Sequence, residues 1–557
     1  MKRRNFIKHL ARTAAVSPFV INGLPMKAIG SSSMFKRLTN GPFENRKIVL
    51  IQLHGGNDGL NTLIPMEQYA TYQSYRTNIA IPDTGNRAYV PLDNTLAIPD
   101  QVGVHPDMMP IKTMYDAGKV SVVQAVGYEN VNQSHFRSRD IWFMGGSFDE
   151  YKRSGWMGRY LDHIYPDYPD AYPTTDMPDP LGLEIGTKVS LGYHREVGIP
   201  VALATDDPGN FSDLISGLGG PNPQNIPSNF YGNELQYIID LYDNANVYAA
   251  QLQNRYNTGQ NYVPYPINNV MTYPGPAPVN VLENPLGWQL QTVARLIHGG
   301  CKTRIYLVRI GGFDTHDGQV IQNDTTHGMH GALLYHLSTA VKAFFDDLAA
   351  SGYDEEVIAM TFSDFGRRPF DNASFGTDHG TAAPAFIFGK GVEAGVVGTN
   401  PDLDNLDSTN NLIVQHDYRQ ILTTLLCDWM GADNDALIAA EFEDWADDKL
   451  PLISPEYSDP ITSTEPVIAS TTTFSASVYP NPTQDIIKYN LHSSVAKQAS
   501  ISIYTVLGQE MLHKKVSLVA GENEFSEDIS HYPAGQYILT IRDEDFKVMA
   551  SKKITKK

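Results

Sequence analysis

Five short, almost uninterrupted apolar runs mark the first 450 or so residues: "KIVLIQL" (47–53), "VSVVQAV" (120–126), "RIYLVRI" (304–310), "VIAMTF" (357–362) and "PAFIFG" (384–389). Continuous β-rich runs of this length suit strands buried on both faces of a parallel sheet. Helical periodicity lies between them. "PDMMPIKTMYDAG" precedes the second run, "GWQLQTVARLIHGG" the third and "HGALLYHLSTAVKAFFDDLAASG" the fourth. Pro106 and Gly118 bracket the first of these helices. The alternation predicts a doubly wound, mostly parallel α/β sheet. Past residue 474 the texture changes. "IIKYNLH", "SISIYTV", "KKVSLV" and "GQYILTIR" alternate between apolar and polar and are split by turn residues. They predict a small C-terminal antiparallel β-sandwich.

Two other regions depart from the core pattern. The stretch 165–285 is rich in Tyr, Pro, Asn and Asp around a single helical segment and reads as an inserted cap over the strand ends. Residues 451–473, rich in Pro, Ser and Thr, read as a linker. The expected organisation is a leader over 1–40, a core over 41–450, the linker, and the sandwich over 474–557.

Composition narrows the function classes. Of 557 residues, 42% are hydrophobic and 19% charged, an ordinary globular balance, and the length calls for more than one domain. A net charge of -20 excludes nucleic acid and anionic membrane surfaces as partners, since both need clustered Lys and Arg. No apolar run reaches the roughly 18 residues of a transmembrane helix. The two cysteines, Cys301 and Cys427, read as buried thiols, with a disulfide as the alternative. The N-terminus, "MKRRNFIKHLARTAAVSPFVING", has the layout of a twin-arginine export signal: adjacent Arg3 and Arg4, then Phe6 and Ile7, Lys8 and an apolar stretch.

Polar clusters follow the strands. "HGGNDG" trails the first, "GYENVNQSHFRSRD" the second, "GGFDTHDG" the third and "SDFGRR" the fourth. Open parallel sheets bind ligands beyond the carboxyl ends of their strands. Asp314 and His316, two apart in an extended segment, share a face and suit a divalent metal. Asp58 is either a carboxylate aimed at a cation or a cap for the next segment. His54 reads as a strand-end packing residue. Ser134 opens a helix, as a nucleophile, an anion-docking group or a plain N-cap, with Arg137 beside it. His135 is a ligand or packs against the helix. Asp364 and His379 complete the set. Arg367 and Arg368 either clamp an oxyanion or pair with the acidic surface, and Asp378 reads as a turn residue. His327 and His330 share one face at the start of a solvent-side helix. The acidic segment 400–411 reads as a solvated loop, with calcium binding as the alternative.

Three resemblances add to this. "VYPNPTQD", "IYTVLGQEM" and "PAGQYILTI" resemble the C-terminal sorting domain of the type IX secretion system of Bacteroidetes. That implies a periplasmic intermediate, then a secreted or outer-membrane-surface product, with the twin-arginine and type IX machineries as partners. "GGNDGLNT", "SHFRSRDIW", "GGFDTHDGQ", "SDFGRR" and "TDHGTAAPAFIFG" resemble the exported bacterial domain-of-unknown-function 1501 family. The order of Asp58, Ser134, Asp314–His316, Asp364 and His379 also resembles the alkaline phosphatase and sulfatase superfamily. By that resemblance Asp314, His316 and His379 hold one divalent metal, and Asp58 and Asp364 hold another, with Ser134 bridging. The metal is zinc, calcium, magnesium or manganese, as one ion or two.

The implied activity is metal-dependent hydrolysis of phosphate or sulfate esters, on a small molecule or a polysaccharide, with Ser134 or a hydroxide attacking and Arg137 or Arg367 steadying the charge. Two departures stand out. Phe365 occupies a position where two-zinc members carry histidine, and the Asp314–His316 spacing is shorter than in phosphatases; Ser134 also lacks the sulfatase motif, which leaves a formylglycine nucleophile unsupported. A secreted binding or assembly protein without turnover is the alternative. A Ser-His-Asp esterase is disfavoured by the absence of a G-x-S-x-G elbow.

Overall fold

The computed structural model describes residues 43–217, 226–267, 273–458 and most of 474–557, with the backbone of 20–21 and 24–25. The twin-arginine stretch and residues 459–473 of the expected linker lie outside the described residues. The chain divides into two compact units, up to Ser458 and from Asp459.

The first unit is built on a nine-stranded sheet. Its strands are β1 (Lys47–His54), β2 (Val120–Gly127), β3 (Gly182–Ile185), β4 (Ala202–Thr205), β5 (Ile305–Gly311), β6 (Val357–Ser363), β7 (Ala383–Phe388), β8 (Gly395–Val397) and β9 (His416–Asp417). The spatial order is β8-β2-β7-β6-β1-β5-β3-β4, with β9 pairing β2. All pairings are parallel except those of β7, which runs antiparallel to both β6 and β2. The apolar runs at 47–53, 120–126, 304–310 and 357–362 are therefore parallel strands as expected, while "PAFIFG" is the reversed one. This reversal positions the site: the start of β7 lies at the same sheet edge as the ends of β1, β2, β5 and β6.

The central strands are buried on both sides. Ile48, Val49, Ile51, Ile305, Leu307, Val308, Ile358 and Ala359 are fully inaccessible. On one face Leu50, Met360 and Phe362 meet Trp142 and Phe143 of α1 (His135–Met144) and Trp156, which opens α2 (Trp156–Ile164). Elsewhere α3 (Pro285–His298) packs on β5 and on α4 (Met329–Ser351), and Phe345 of α4 meets Phe388 of β7.

Two expectations need correction. Residues 165–285 are not wholly a cap, because β3 and β4 within them extend the central sheet. At four residues each they are too short to register as apolar runs. The long helix Phe230–Thr258 packs against α3. The core also continues past 450: Leu452, Ile453 and Tyr457 are buried in it, and Arg46 donates to the Tyr457 carbonyl. The cysteines are free; Cys301 is buried and Cys427 half-buried.

The second unit is the expected antiparallel sandwich. One sheet has the order β10 (Phe474–Tyr479), β11 (Ile486–Ser493), β14 (Gly521–Asp528). The other runs β13 (Glu510–Leu518), β12 (Lys497–Thr505), β15 (Gly535–Asp543), β16 (Val548–Lys556). Ile487, Tyr489 and Leu491 from the first meet Ile501, Ile503, Leu539 and Ile541 from the second in one core.

Candidate metal centre

At the carboxyl edge of the sheet, four side chains from three chain segments converge. His379 Nε2 lies 3.1 Å from His135 Nε2 and 2.9 Å from His316 Nε2. Asp314 Oδ1 lies 3.2 Å from both His379 Nε2 and His316 Nε2, and 3.4 Å from His135 Nε2. His135 opens α1 after β2; Asp314 and His316 follow β5; His379 precedes the reversed β7. His135, Asp314 and His379 form a group spaced to share a metal ion.

The far nitrogen of each ring is held by an oxygen. His135 Nδ1 meets Asp364 Oδ2 at 2.9 Å, His316 Nδ1 meets Asp378 Oδ1 at 3.0 Å, and His379 Nδ1 meets the Gln133 carbonyl at 2.8 Å. Carboxylates and carbonyls only accept, so each Nδ1 carries the hydrogen, and a ring in its neutral form presents a bare Nε2 lone pair. Three such lone pairs and a carboxylate oxygen around one point repel one another unless a cation lies among them. Oxygen partners behind ligating histidines are the usual outer layer of a metal site.

Backbone geometry enforces the convergence. Gly55, at φ +122°, turns the chain after β1, and a Cβ there would stand 2.3 Å from the Asp314 nitrogen. Arg367, fully buried, donates to the carbonyls of Gly55, Gly56, Phe313 and Thr377 and, at 2.7 Å, to Asp314 Oδ1. Burial raises the Asp314 carboxyl, but the Arg367 hydrogen bond and charge outweigh it and hold the group at about 2. The Asp364 hydrogen bond lifts His135 above the ordinary imidazole value against the effect of burial. Burial lowers His379, with the Arg367 charge adding to the effect. The Phe365 ring walls the site, with centroids 4.8 Å from His135 and 4.6 Å from His379. Asp314 and His316 are 48% and 45% exposed, so the cluster is open to solvent on their side.

The expected residues do not all gather here. Asp58 is fully buried in an ion pair with Arg76 at 2.6 Å and accepts from Gln319, so its charge is already matched away from the cluster. Asp364 is present, but as the buried acceptor of His135 Nδ1 and the Gly55 N–H rather than as a metal ligand. Ser134 is the exposed N-cap of α1, yet its side chain caps nothing. Arg137 turns away to the Phe148 and Glu150 carbonyls and lies 3.8 Å over the Tyr151 ring. Arg367 spends its donors on carbonyls and Asp314, so it positions the turn rather than clamping an oxyanion.

His135 and Asp378 are the residues the pattern undervalued. The signal was present: a histidine heading a helix after a buried strand, and an aspartate next to a histidine. His327 and His330 do not share a solvent-side face. His327 precedes α4 and pairs with Asp324 at 2.6 Å, while His330 is buried and meets Asn57 at 3.2 Å.

The architecture is thus that of a mixed α/β protein with a solvent-open cluster of histidines and acids at a parallel-sheet edge, followed by an all-β unit. Residues 245–446 match the model of a protein family of unknown function, DUF1501, and residues 477–557 match that of a secretion system C-terminal sorting domain, here of the type IX class. The sorting domain ties the chain to that secretion machinery and to export or surface placement. No helix among the described residues is long and apolar enough to cross a membrane.

No curated protein matches the sequence. Some solved glycosidases resemble small parts of it. A beta-glucosidase from Kluyveromyces marxianus is 13% identical over 16% of this chain and 15% of its own, with a TM-score of 0.13. One from Trichoderma reesei is 12% identical over 15% and 18%, at 0.12. Beta-glucuronidase 2 of Bacteroides uniformis is 14% identical over 14% and 12%, at 0.11. Each alignment spans less than a fifth of the glycosidase, and likenesses this slight bear on neither fold nor activity.

Proposed function

We propose that this is an exported, metal-dependent hydrolase of phosphate or sulfate esters, delivered through the periplasm by a twin-arginine signal before type IX secretion. The observation that carries the reading is the convergence of His135, His316 and His379 Nε2 with Asp314 Oδ1 on the solvent-open carboxyl edge. A nitrogen-rich donor set suits zinc better than calcium, magnesium or manganese, which favour oxygen. Such an ion, when bound, polarises an ester and acidifies a water it coordinates.

The protein's own share is geometric. Asp364, Asp378 and the Gln133 carbonyl keep the three rings in one tautomer. Arg367 fixes the Asp314 carboxylate, and Phe365 excludes water from one wall. Among the described residues the Ser134 side chain makes no hydrogen bond to a base that would activate it, which favours water over Ser134 as the attacking group. Two features favour the second reading, a secreted non-catalytic binding or assembly protein: Phe365 in place of a further ligand, and the engagement of Arg137 and Arg367 with carbonyls.

Elemental analysis of the purified full chain after zinc supplementation, combined with assays on aryl phosphate and aryl sulfate esters, separates the two. Bound zinc with ester turnover that falls in His135→Ala and His379→Ala supports the hydrolase. Bound zinc without turnover on either ester class selects the second reading, and a chain that takes up no metal rules out the hydrolase.

A further inference from the structure

Arg137, Arg367 and Arg368, the arginines singled out from the sequence, are committed to carbonyls and to Asp314, but two others, Arg139 and Arg309, have donors to spare. Arg309 of β5 pairs in register with Gln52 of β1, so their side chains leave the sheet on the same face. His54, two residues beyond Gln52, shares that face. It is the face on which Leu50 meets Trp142, the face covered by α1. His54 stacks towards His135 there, with centroids 6.2 Å apart. Arg139 lies four residues beyond His135 on α1 and so on the same side of that helix.

Both guanidinium groups are partly open, Arg139 at 27% and Arg309 at 35%. Arg309 Nε donates to Gln52 Oε1 at 2.7 Å, and its Nη2 reaches Glu184 at 3.1 Å and Ser190 at 3.4 Å. These contacts orient the fork and leave Nη1 without an acceptor among the described residues. Arg139 makes no hydrogen bond there either; its nearest carboxylate, Asp140, is 3.7 Å away, and Phe136 lies under it at 5.6 Å.

A planar guanidinium with free N–H groups is the side chain best fitted to a tetrahedral oxyanion. We propose that Arg139 and Arg309, flanking His54, form an anion subsite beside the metal cluster that receives the phosphoryl or sulfuryl group. As a substrate subsite this rests on the hydrolase reading, but anion binding can be measured without turnover. Gln52 joins the two sites: it accepts from Arg309 and donates to Asp364 Oδ1 at 3.4 Å, and Asp364 holds His135.

The test is calorimetric titration of the zinc-supplemented full chain with inorganic phosphate and, separately, inorganic sulfate. Arg139→Gln and Arg309→Gln are each expected to weaken binding by at least about tenfold, the worth of one hydrogen bond to a charged group. Zinc content is expected to stay unchanged. If Arg309→Gln unfolds by loss of its Glu184 and Gln52 contacts, Arg139→Gln, which breaks no hydrogen bond, carries the test alone. Wild type that binds neither anion, or Arg139→Gln that binds both as tightly as wild type, overturns the subsite even if the protein cleaves esters. Anion binding that falls in the variants, in a protein that cleaves no ester, upholds the subsite and removes the hydrolase reading instead.

Discussion

Replacing Asp364 by asparagine tests the metal centre through a residue that touches no metal. The carboxylate is fully buried. Its Oδ2 accepts from both His135 Nδ1 and the Gly55 N–H at 2.9 Å, and its Oδ1 accepts from Gln52 at 3.4 Å. An amide of the same shape has one oxygen. Whichever way it turns, it presents its own N–H groups either to the His135 and Gly55 donors or to Gln52. The relief open to His135 is to move its hydrogen to Nε2, which removes the lone pair needed for coordination. Loss of an outer-layer partner of this kind weakens metal binding on the order of 10- to 100-fold, or about 1.4–2.8 kcal/mol. Asp378→Asn makes the matched comparison. Its carboxylate holds His316 in the same way but is 58% exposed, so water can replace it, and a loss of less than about tenfold is expected. Zinc affinity, measured by competition with a chromogenic chelator, gives both values. An Asp364→Asn protein that folds and binds zinc like wild type, or an Asp378→Asn protein that loses more than Asp364→Asn, refutes the reasoning.

Other outcomes follow from the same geometry. Gly55→Ala must place a Cβ against the Asp314 backbone at a left-handed φ, so both zinc affinity and melting temperature should fall. Asp58→Ala breaks a fully buried ion pair with Arg76, so about 3–5 kcal/mol of stability should vanish from denaturant melts while zinc stoichiometry stays the same. Protons compete with the metal for the imidazoles, so zinc should be released on acidification, and Asp364→Asn, which weakens binding, should move the onset of release to higher pH. Burial lowers His330 to about 4, so the unfolded chain takes up its proton first: stability should be full above pH 6.5 and decline as pH falls towards 4, by about 3 kcal/mol in all. A His330→Gln variant should lose that slope in pH-resolved denaturant melts.

Much of the sheet was legible because parallel strands buried on both faces need long apolar runs. β1, β2, β5 and β6 declared themselves in that way. β3 and β4 did not, because "GLEI" and "ALAT" are four residues each and one carries Glu184 inside the sheet. The reversal of β7 was not legible either, since an apolar run carries no direction. Asp314, His316 and His379 were recognisable as chemistry-bearing residues at strand ends. What local pattern could not supply was pairing across the fold. Asp58 resembled a ligand until Arg76, eighteen residues on, met it in the interior. Asp364 could not be told from a ligand without knowing that His135 would come between it and the cluster. Ser134 and Arg137 share a helix with His135, but Ser134 stays in solvent as the cap residue and Arg137 turns to the Phe148–Glu150 loop.

These pairings also bear on how many ions the site should take. A second metal needs its own anionic ligands, and the two carboxylates assigned to it are already engaged: Asp58 by Arg76 and Gln319, and Asp364 by His135 and Gly55. Recruiting Asp58 would leave the Arg76 guanidinium buried without its counter-charge, a cost comparable to breaking the pair outright. The place beside Asp364 where an added imidazole could help is taken by Phe365, whose ring also lies within 2.8 Å of where a side chain on Gly56 would begin. One ion per chain is therefore the expected stoichiometry in elemental analysis. With a single ion, charge on the phosphoryl or sulfuryl group must be met by protein cations rather than by a second metal, which is the part proposed for Arg139 and Arg309. Two ions per chain, both lost in Asp314→Ala, would break that chain of inference at its first link.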